Sequence, residues 1–356
     1  MTPTTTPVTP TTPATIRTSC GTSPRMSRAP ACTVMPTVLP RPLPGLLTLL
    51  AVLSILSMML LPAAPVSGQP VQPDTDNGDL LLPQGAYVAL GDSYASGFGV
   101  APYAPGTDVE DGNRCQRSTS AYAHLVSQRT GTELVFRACS GARTADFYQD
   151  NAAWEESAQL DALSVDTDLV TFSVGGNDAG FAEVLGECLS RAQQGDRGPC
   201  NTDEQLVSRV GSAIDALRGT GAREGTYSYD TLLSDVAARA PRAQVVVVGY
   251  PHMFPAQGAE GSAGRCEGVL APDQRWIVER TDELNDVIRQ AAQRHGMVFV
   301  DPSQTFAGHE LCSSQPWFYG VSSQGQFHPT AEGHQAVADD IVEALEALEA
   351  ARFQAG

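Results

Sequence analysis

Residues 86–97 read AYVALGDSYASG. The run Ala86–Leu90 is short, apolar and closed by a glycine, which suits a strand covered on both faces of a sheet. The polar residues after it place Ser93 on a strand-to-helix turn. There a hydroxyl stands exposed, and the backbone N–H at the helix start favours negative charge. The same grammar recurs down the chain. Glu133–Ala138 (ELVFRA) runs into Cys139-Ser140-Gly141-Ala142, and Asp168–Val174 (DLVTFSV) runs into Gly175-Gly176-Asn177-Asp178. Gln244–Gly249 (QVVVVG) and Met297–Val300 (MVFV) are two further candidate strands.

Amphipathic stretches separate these runs. Leu206, Val210, Ile214 and Leu217 share one face of Asp203–Leu217. Ile277, Leu284, Val287, Ile288 and Ala291 share one face of Asp273–Arg294, where His295-Gly296 ends the helix. From Thr330 onward, Val337, Ile341, Leu345 and Leu348 form a stripe, with Thr330 as N-cap and Glu332 in the first turn. Strands alternating with helices predict βαβ units and a three-layer α/β/α sandwich on a mostly parallel sheet. In such sheets ligands bind beyond the carboxyl ends of the strands, where the three polar clusters fall.

Composition narrows the function classes. The chain has 356 residues, 22 basic residues against 40 acidic ones, and a net charge of -18. Every basic residue is Arg, and Arg17, Arg25, Arg28 and Arg41 precede residue 70, where there is no acid. The remainder is more acidic still, which excludes general nucleic-acid binding and disfavours attraction to anionic lipid.

The N-terminus carries an export pattern. An arginine-bearing region precedes the uncharged run Gly45–Leu61, and small residues follow it. This predicts a secretory signal peptide within 1–68, cut before Gln69 or after Ala64, rather than a retained anchor. A start at Met35 gives a signal of conventional length. A polar lead-in at 69–80 then precedes one domain over 81–356. Six cysteines remain: Cys115, Cys139, Cys188, Cys200, Cys266 and Cys312. None has CxxC spacing and no His cluster accompanies them, so three structural disulfides are favoured over a zinc site. Fifteen pairings are open, and each bridge contributes on the order of 3–4 kcal/mol.

Together the clusters offer a serine nucleophile and three oxyanion donors: the N–H of Ser93, the N–H of Gly141 and the amide of Asn177. Gly91-Asp92-Ser93-Tyr94-Ala95 is not the GxSxG elbow of the α/β-hydrolase fold. A base is needed. His124 and His334 fall on presumed helices, and His295 caps another. His252 in YPHMF could line the site, and His309 lies near Cys312. His328, in QFHPTAEGH just before the last helix, sits where a base reaches Ser93.

In order along the chain, GDSYASG, ACSGA, GGND and FHPTAEGH resemble the four blocks of the SGNH (GDSL) hydrolase superfamily. The six cysteines and AGHELCSSQPWF at 307–318 resemble its secreted actinobacterial esterases and lipases. The resemblance implies a five-stranded sheet in flavodoxin-like order, with Ser93 as nucleophile and His328 as base. It implies Ser93, Gly141 and Asn177 as oxyanion hole, and the disulfides Cys115–Cys139, Cys188–Cys200 and Cys266–Cys312. One departure stands out: the Asp that usually lies three residues before the histidine is Gly325 here, and no acid occurs between Glu310 and Glu332. The Gly325 carbonyl is therefore the expected partner of the His328 Nδ1–H. Asp92 and Asp178 are expected to brace loops.

The expected activity is a secreted serine esterase or lipase, phospholipase A included. It needs no metal or cofactor, acts on an ester or lipid substrate, and works as a monomer without a membrane anchor. The alternatives are a carbohydrate O-acetylesterase and a non-catalytic secreted binding domain.

Overall fold

A strand such as Val245–Val248 has no polar face to turn to water, so both its sides must be covered. The computed structural model describes residue 83 and residues 85–195, 198–258 and 265–355. The predicted signal peptide and most of the lead-in lie outside the described residues.

The strands are β1 (Ala86–Gly91), β2 (Glu133–Phe136), β3 (Thr167–Ser173), β4 (Gln244–Val248), β5 (Arg265–Cys266), β6 (Val269–Leu270) and β7 (Val298–Val300). Five of them form an all-parallel sheet in the order β2-β1-β3-β4-β7, and β5 and β6 pair as a small antiparallel ribbon. The helices are α1 (Ser93–Ser96), α2 (Tyr122–Thr130), α3 (Gly176–Ala179), α4 (Phe181–Gln194), α5 (Glu204–Arg218), α6 (Tyr229–Arg239), α7 (Ala271–Arg294) and α8 (Ala331–Ala355). Helix α2 packs on α8, whereas α5 and α6 pack on α7. From β1 the chain winds first to β2 and then, past β1, to β3. This order reverses between β1 and β3 and opens a crevice at their carboxyl ends.

Local chemistry accounts for the helix ends. Asp203 caps α5 by accepting from the backbone N–H of Gln205 at 3.0 Å and Leu206 at 3.1 Å. Ser228 caps α6 through Thr231, and Thr330 accepts from Gly333 N at 3.4 Å at the start of α8. Helix α7 begins at Ala271, two residues ahead of Asp273, because Pro272 is tolerated in a first turn. Strand β2 is shorter than expected. Arg137 and Ala138 both donate to the Ala89 carbonyl, which takes the chain out of register.

The three disulfides join Cys115 to Cys139, Cys188 to Cys200 and Cys266 to Cys312. No helix among the described residues is long and apolar enough to cross a membrane.

Candidate active site

The crevice between β1 and β3 is built on a glycine. Gly91 has φ +123°, and a Cβ there would lie 2.4 Å from the Ser173 carbonyl of the neighbouring strand. That close approach lets Asp92 N–H donate to Ser173 O at 2.9 Å and ends β1 in the α1 turn. Gln159 clamps the same glycine from the other side, accepting from its N–H at 2.7 Å and donating to its carbonyl at 2.9 Å.

Ser93 is the first residue of α1 and is buried. Its Oγ lies 2.8 Å from His328 Nε2. His328 Nδ1 lies 2.9 Å from the Gln326 carbonyl, so Nδ1 carries the hydrogen and Nε2 is left to accept from the serine hydroxyl. The expectation for Gly325 is thereby corrected. Its carbonyl accepts the backbone N–H of His328 at 3.0 Å, and Phe327 takes the left-handed conformation with φ +64°. The turn leaves the Gln326 carbonyl to face the ring.

The base loop is tied to residues 317–319. Tyr319 N–H donates to His328 O, Phe327 N–H to Tyr319 O, and Thr330 N–H to Trp317 O. The Tyr94 hydroxyl donates to the Phe327 carbonyl at 2.8 Å. The rings of Tyr94 and Phe98 flank the imidazole at centroid distances of 5.0 and 4.7 Å. Burial among them pushes His328 down to about 4, against the pull of the Gln326 carbonyl. The imidazole is neutral at pH 7 and free to take a proton.

The donors converge from the other two loops. Gly141 has φ +81° in a turn closed by Ala142 N–H on Cys139 O, and a Cβ there would meet only open space. Among the described residues the N–H groups of Ser93 and Gly141 have no protein acceptor. Asn177 Nδ2 donates one hydrogen to Ala142 O at 2.9 Å, which orients the amide and leaves its second hydrogen available. Ser93, Gly141, Asn177 and His328 all line one cleft of about 320 Å³.

Two buried carboxyls hold these loops without touching His328. Asp178 accepts from Thr144 N at 3.0 Å and Thr144 Oγ1 at 2.7 Å, tying the Gly141 loop to the Asn177 loop. Asp92 accepts from Tyr94 N at 2.9 Å and from the Tyr250 hydroxyl at 2.6 Å. Tyr250 in turn accepts from Gly176 N at 2.9 Å. Burial pushes Asp92 up to about 7, and it raises Asp178 as well.

Several cleft residues carry no catalytic signature in the sequence. Phe181, Leu185 and Leu189 of α4, Met253 after β4 and Ile277 of α7 form an apolar wall. The neighbours of His252 line the cleft, but His252 itself turns to Asp282 at 2.6 Å. Its place in YPHMF was the one available signal for that wall. His309 stacks on Trp317 at 3.7 Å, and His334 lies buried against Tyr122. The six cysteines are consumed in disulfides and supply no thiolate to a metal.

Comparison with known proteins fits this geometry. The chain matches the GDSL-like Lipase/Acylhydrolase family over residues 89–336. It is 37% identical over 251 residues to a lipase of Streptomyces rimosus, covering 69% of this chain and 81% of that one. The crystal structure of an extracellular lipase from Streptomyces rimosus is similar with TM-score 0.57 and 33% identity, over 73% of this chain and 99% of that one. That of a phospholipase A1 from Streptomyces albidoflavus NA297 is similar with TM-score 0.58 and 31% identity, again over 73% and 99%. By sequence and by fold, the chain belongs to the GDSL-like lipase/acylhydrolase family.

Proposed function

We propose that this protein is a secreted carboxylic ester hydrolase that cleaves lipid esters through an acyl-enzyme on Ser93. The observation that carries it is the 2.8 Å contact between Ser93 Oγ and a neutral His328 beside an apolar cleft. His328 Nε2 takes the hydroxyl proton as Ser93 Oγ bonds to the ester carbonyl carbon. The oxyanion gains hydrogen bonds from Ser93 N–H, Gly141 N–H and Asn177 Nδ2. His328 then gives its proton to the departing alkoxide, the C–O bond breaks, and water repeats the cycle on the acyl-enzyme. The Gln326 carbonyl holds the tautomer, the orienting part of a carboxylate's role, but adds no charge to steady the imidazolium.

The aliphatic and aromatic wall of α4, Met253 and Ile277 supports acyl chains longer than acetyl. Export is supported by the disulfides, by the apolar run before residue 62 and by the extracellular relative. The protein acts as a monomer once its signal is removed.

The test uses the full chain, exported so that its disulfides form, on p-nitrophenyl esters from acetate to palmitate. Serine-dependent turnover with an optimum beyond acetate is expected. Ser93→Ala abolishes both turnover and fluorophosphonate labelling while the fold persists. Wild-type rates in Ser93→Ala refute the nucleophile, and an acetate optimum favours the O-acetylesterase alternative.

A further inference from the structure

Tyr250, two residues past β4, lines the catalytic cleft yet takes no step in the proposed chemistry. Its hydroxyl touches both the nucleophile turn and the Asn177 turn. It lies 2.6 Å from Asp92 Oδ2 and 2.9 Å from Gly176 N. Gly176 N–H can only donate, so the phenol oxygen accepts there and its own hydrogen goes to Asp92. The direction of both bonds is therefore fixed. Asp92 precedes Ser93 and caps α1 through Tyr94 N at 2.9 Å, and Gly176 opens α3 and precedes Asn177. One oxygen atom thus links the turn that carries the nucleophile to the turn that carries the amide.

Tyr250 is itself firmly held. Its N–H donates to Asn285 Oδ1 of α7 at 2.9 Å, and Asn285 Nδ2 donates back to the Tyr250 carbonyl at 2.8 Å. Both residues are buried. The ring meets that of Tyr94 edge to face, with centroids 5.3 Å apart. It also lies against Gly176, where a Cβ would stand 3.2 Å from a ring carbon and 3.3 Å from the hydroxyl. Gly176 does not have a positive φ, so the close approach of the ring, not the backbone conformation, is what calls for a glycine there. A side chain locked in this way imposes a position on its partners.

The Asn177 side chain has its own tether, the bond from Nδ2 to Ala142 O. That bond orients the amide; where its backbone stands relative to Ser93 depends on the start of α3. A donor slightly misplaced loses much of its value in the transition state. We propose that Tyr250 is a positioning residue for ester hydrolysis, its hydroxyl setting where the Asn177 amide stands relative to Ser93. The assignment rests on the reading of Asn177 as an oxyanion donor.

The experiment is a double-mutant cycle on p-nitrophenyl octanoate, using the full chain exported so that its disulfides form. Tyr250→Phe keeps the ring and removes the hydroxyl. It lowers kcat about tenfold and leaves KM within about twofold. In an Asn177→Ala background the same substitution changes kcat by less than about twofold, because the group it aims is gone. Melting temperature falls equally in both backgrounds, since a buried N–H and a buried carboxyl each lose a partner either way. Lost stability alone therefore does not generate the kinetic difference. An equal kcat loss in both backgrounds, a loss carried by KM, or wild-type kcat in Tyr250→Phe overturns the assignment while the oxyanion reading stands. Gly176→Ala presses on the same contact from the other partner and serves where Tyr250→Phe does not fold. A loss that disappears without Asn177 then supports the assignment, and one that persists or never appears overturns it. Undiminished kcat in Asn177→Ala itself refutes the oxyanion reading, and the assignment with it.

Discussion

The loops that carry Gly141 and Asn177 are tied down by a disulfide and a buried carboxyl, whereas the loop that carries His328 hangs on backbone hydrogen bonds and one tyrosine. On the first side, Cys115–Cys139 anchors the turn and Asp178 bonds Thr144 twice. On the second, no carboxylate among the described residues faces the imidazole; its partners are the Gln326 carbonyl at Nδ1 and Ser93 at Nε2. The difference teaches that the two halves of this site solve separate problems. In the proposed mechanism the Gly141 and Asn177 donors stabilise charge that develops only in the transition state, so they are fixed before the reaction begins. His328, as the proposed base, needs only the correct tautomer and angle, which a peptide carbonyl supplies, at the cost of a less stabilised imidazolium.

Substitutions on either side sharpen the contrast. The largest effect is expected on the rigid side: Asn177→Ala lowers kcat by about 100- to 1000-fold with little change in fold. Burst kinetics and thermal melting check it, and a loss below about tenfold would move the oxyanion elsewhere.

On the base side, supplying the missing acid does not help. A Cβ at Gly325 would lie 2.6 Å from Gly99 Cα and 2.8 Å from the Tyr319 ring, because two backbones touch there. Gly325→Asp is therefore expected to cost about 1–3 kcal/mol of stability and to lower kcat about tenfold. A melt beside an ester assay checks it, and a gain in rate would show that the loop can reshape around a carboxylate.

The smallest effect concerns Tyr94. Tyr94→Phe removes the hydrogen bond to the Phe327 carbonyl, and kcat falls about fivefold at unchanged KM. The base works only when neutral, so wild-type kcat/KM is flat above its pKa and falls as pH drops through about 4. Loosening the loop admits water to the ring and moves that acid limb up toward 6.5. Full pH profiles of both proteins test this; a wild-type limb already at 6.5 would show that the ring is not shielded. Stability carries the same sign. His328 and His334 both sit near 4 in the fold and near 6.5 when unfolded, so stability is lost as pH falls through that window.

The strands were legible because a β-branched run bounded by glycine or aspartate admits few other structures. Gln244–Val248 and Ala86–Gly91 fall within a residue of their expected limits. Helix starts were legible at Asp203 and Thr330, where a short polar side chain meets the first turn. Ser93, Asn177 and His328 could be singled out because each flanks an element end, and parallel sheets gather those ends at one edge. The carbonyl on His328 was placed one residue too early. Carbonyls look alike in a sequence, and only the φ +64° twist at Phe327 decides which one faces the ring.

The sequence by itself determined the α/β alternation, the order of strands carrying polar turns, the acidic charge and the positions that could supply a hydroxyl, an amide and an imidazole. These are local properties of side-chain type and spacing. The tertiary structure alone decided that Tyr250 bridges Asp92 to Gly176 and that α4 and α7 close an apolar wall. It alone set a second, smaller cavity against the Gly141 turn. Each of these depends on residues far apart in the chain meeting in space, and long-range packing leaves no periodic mark on the residues that take part.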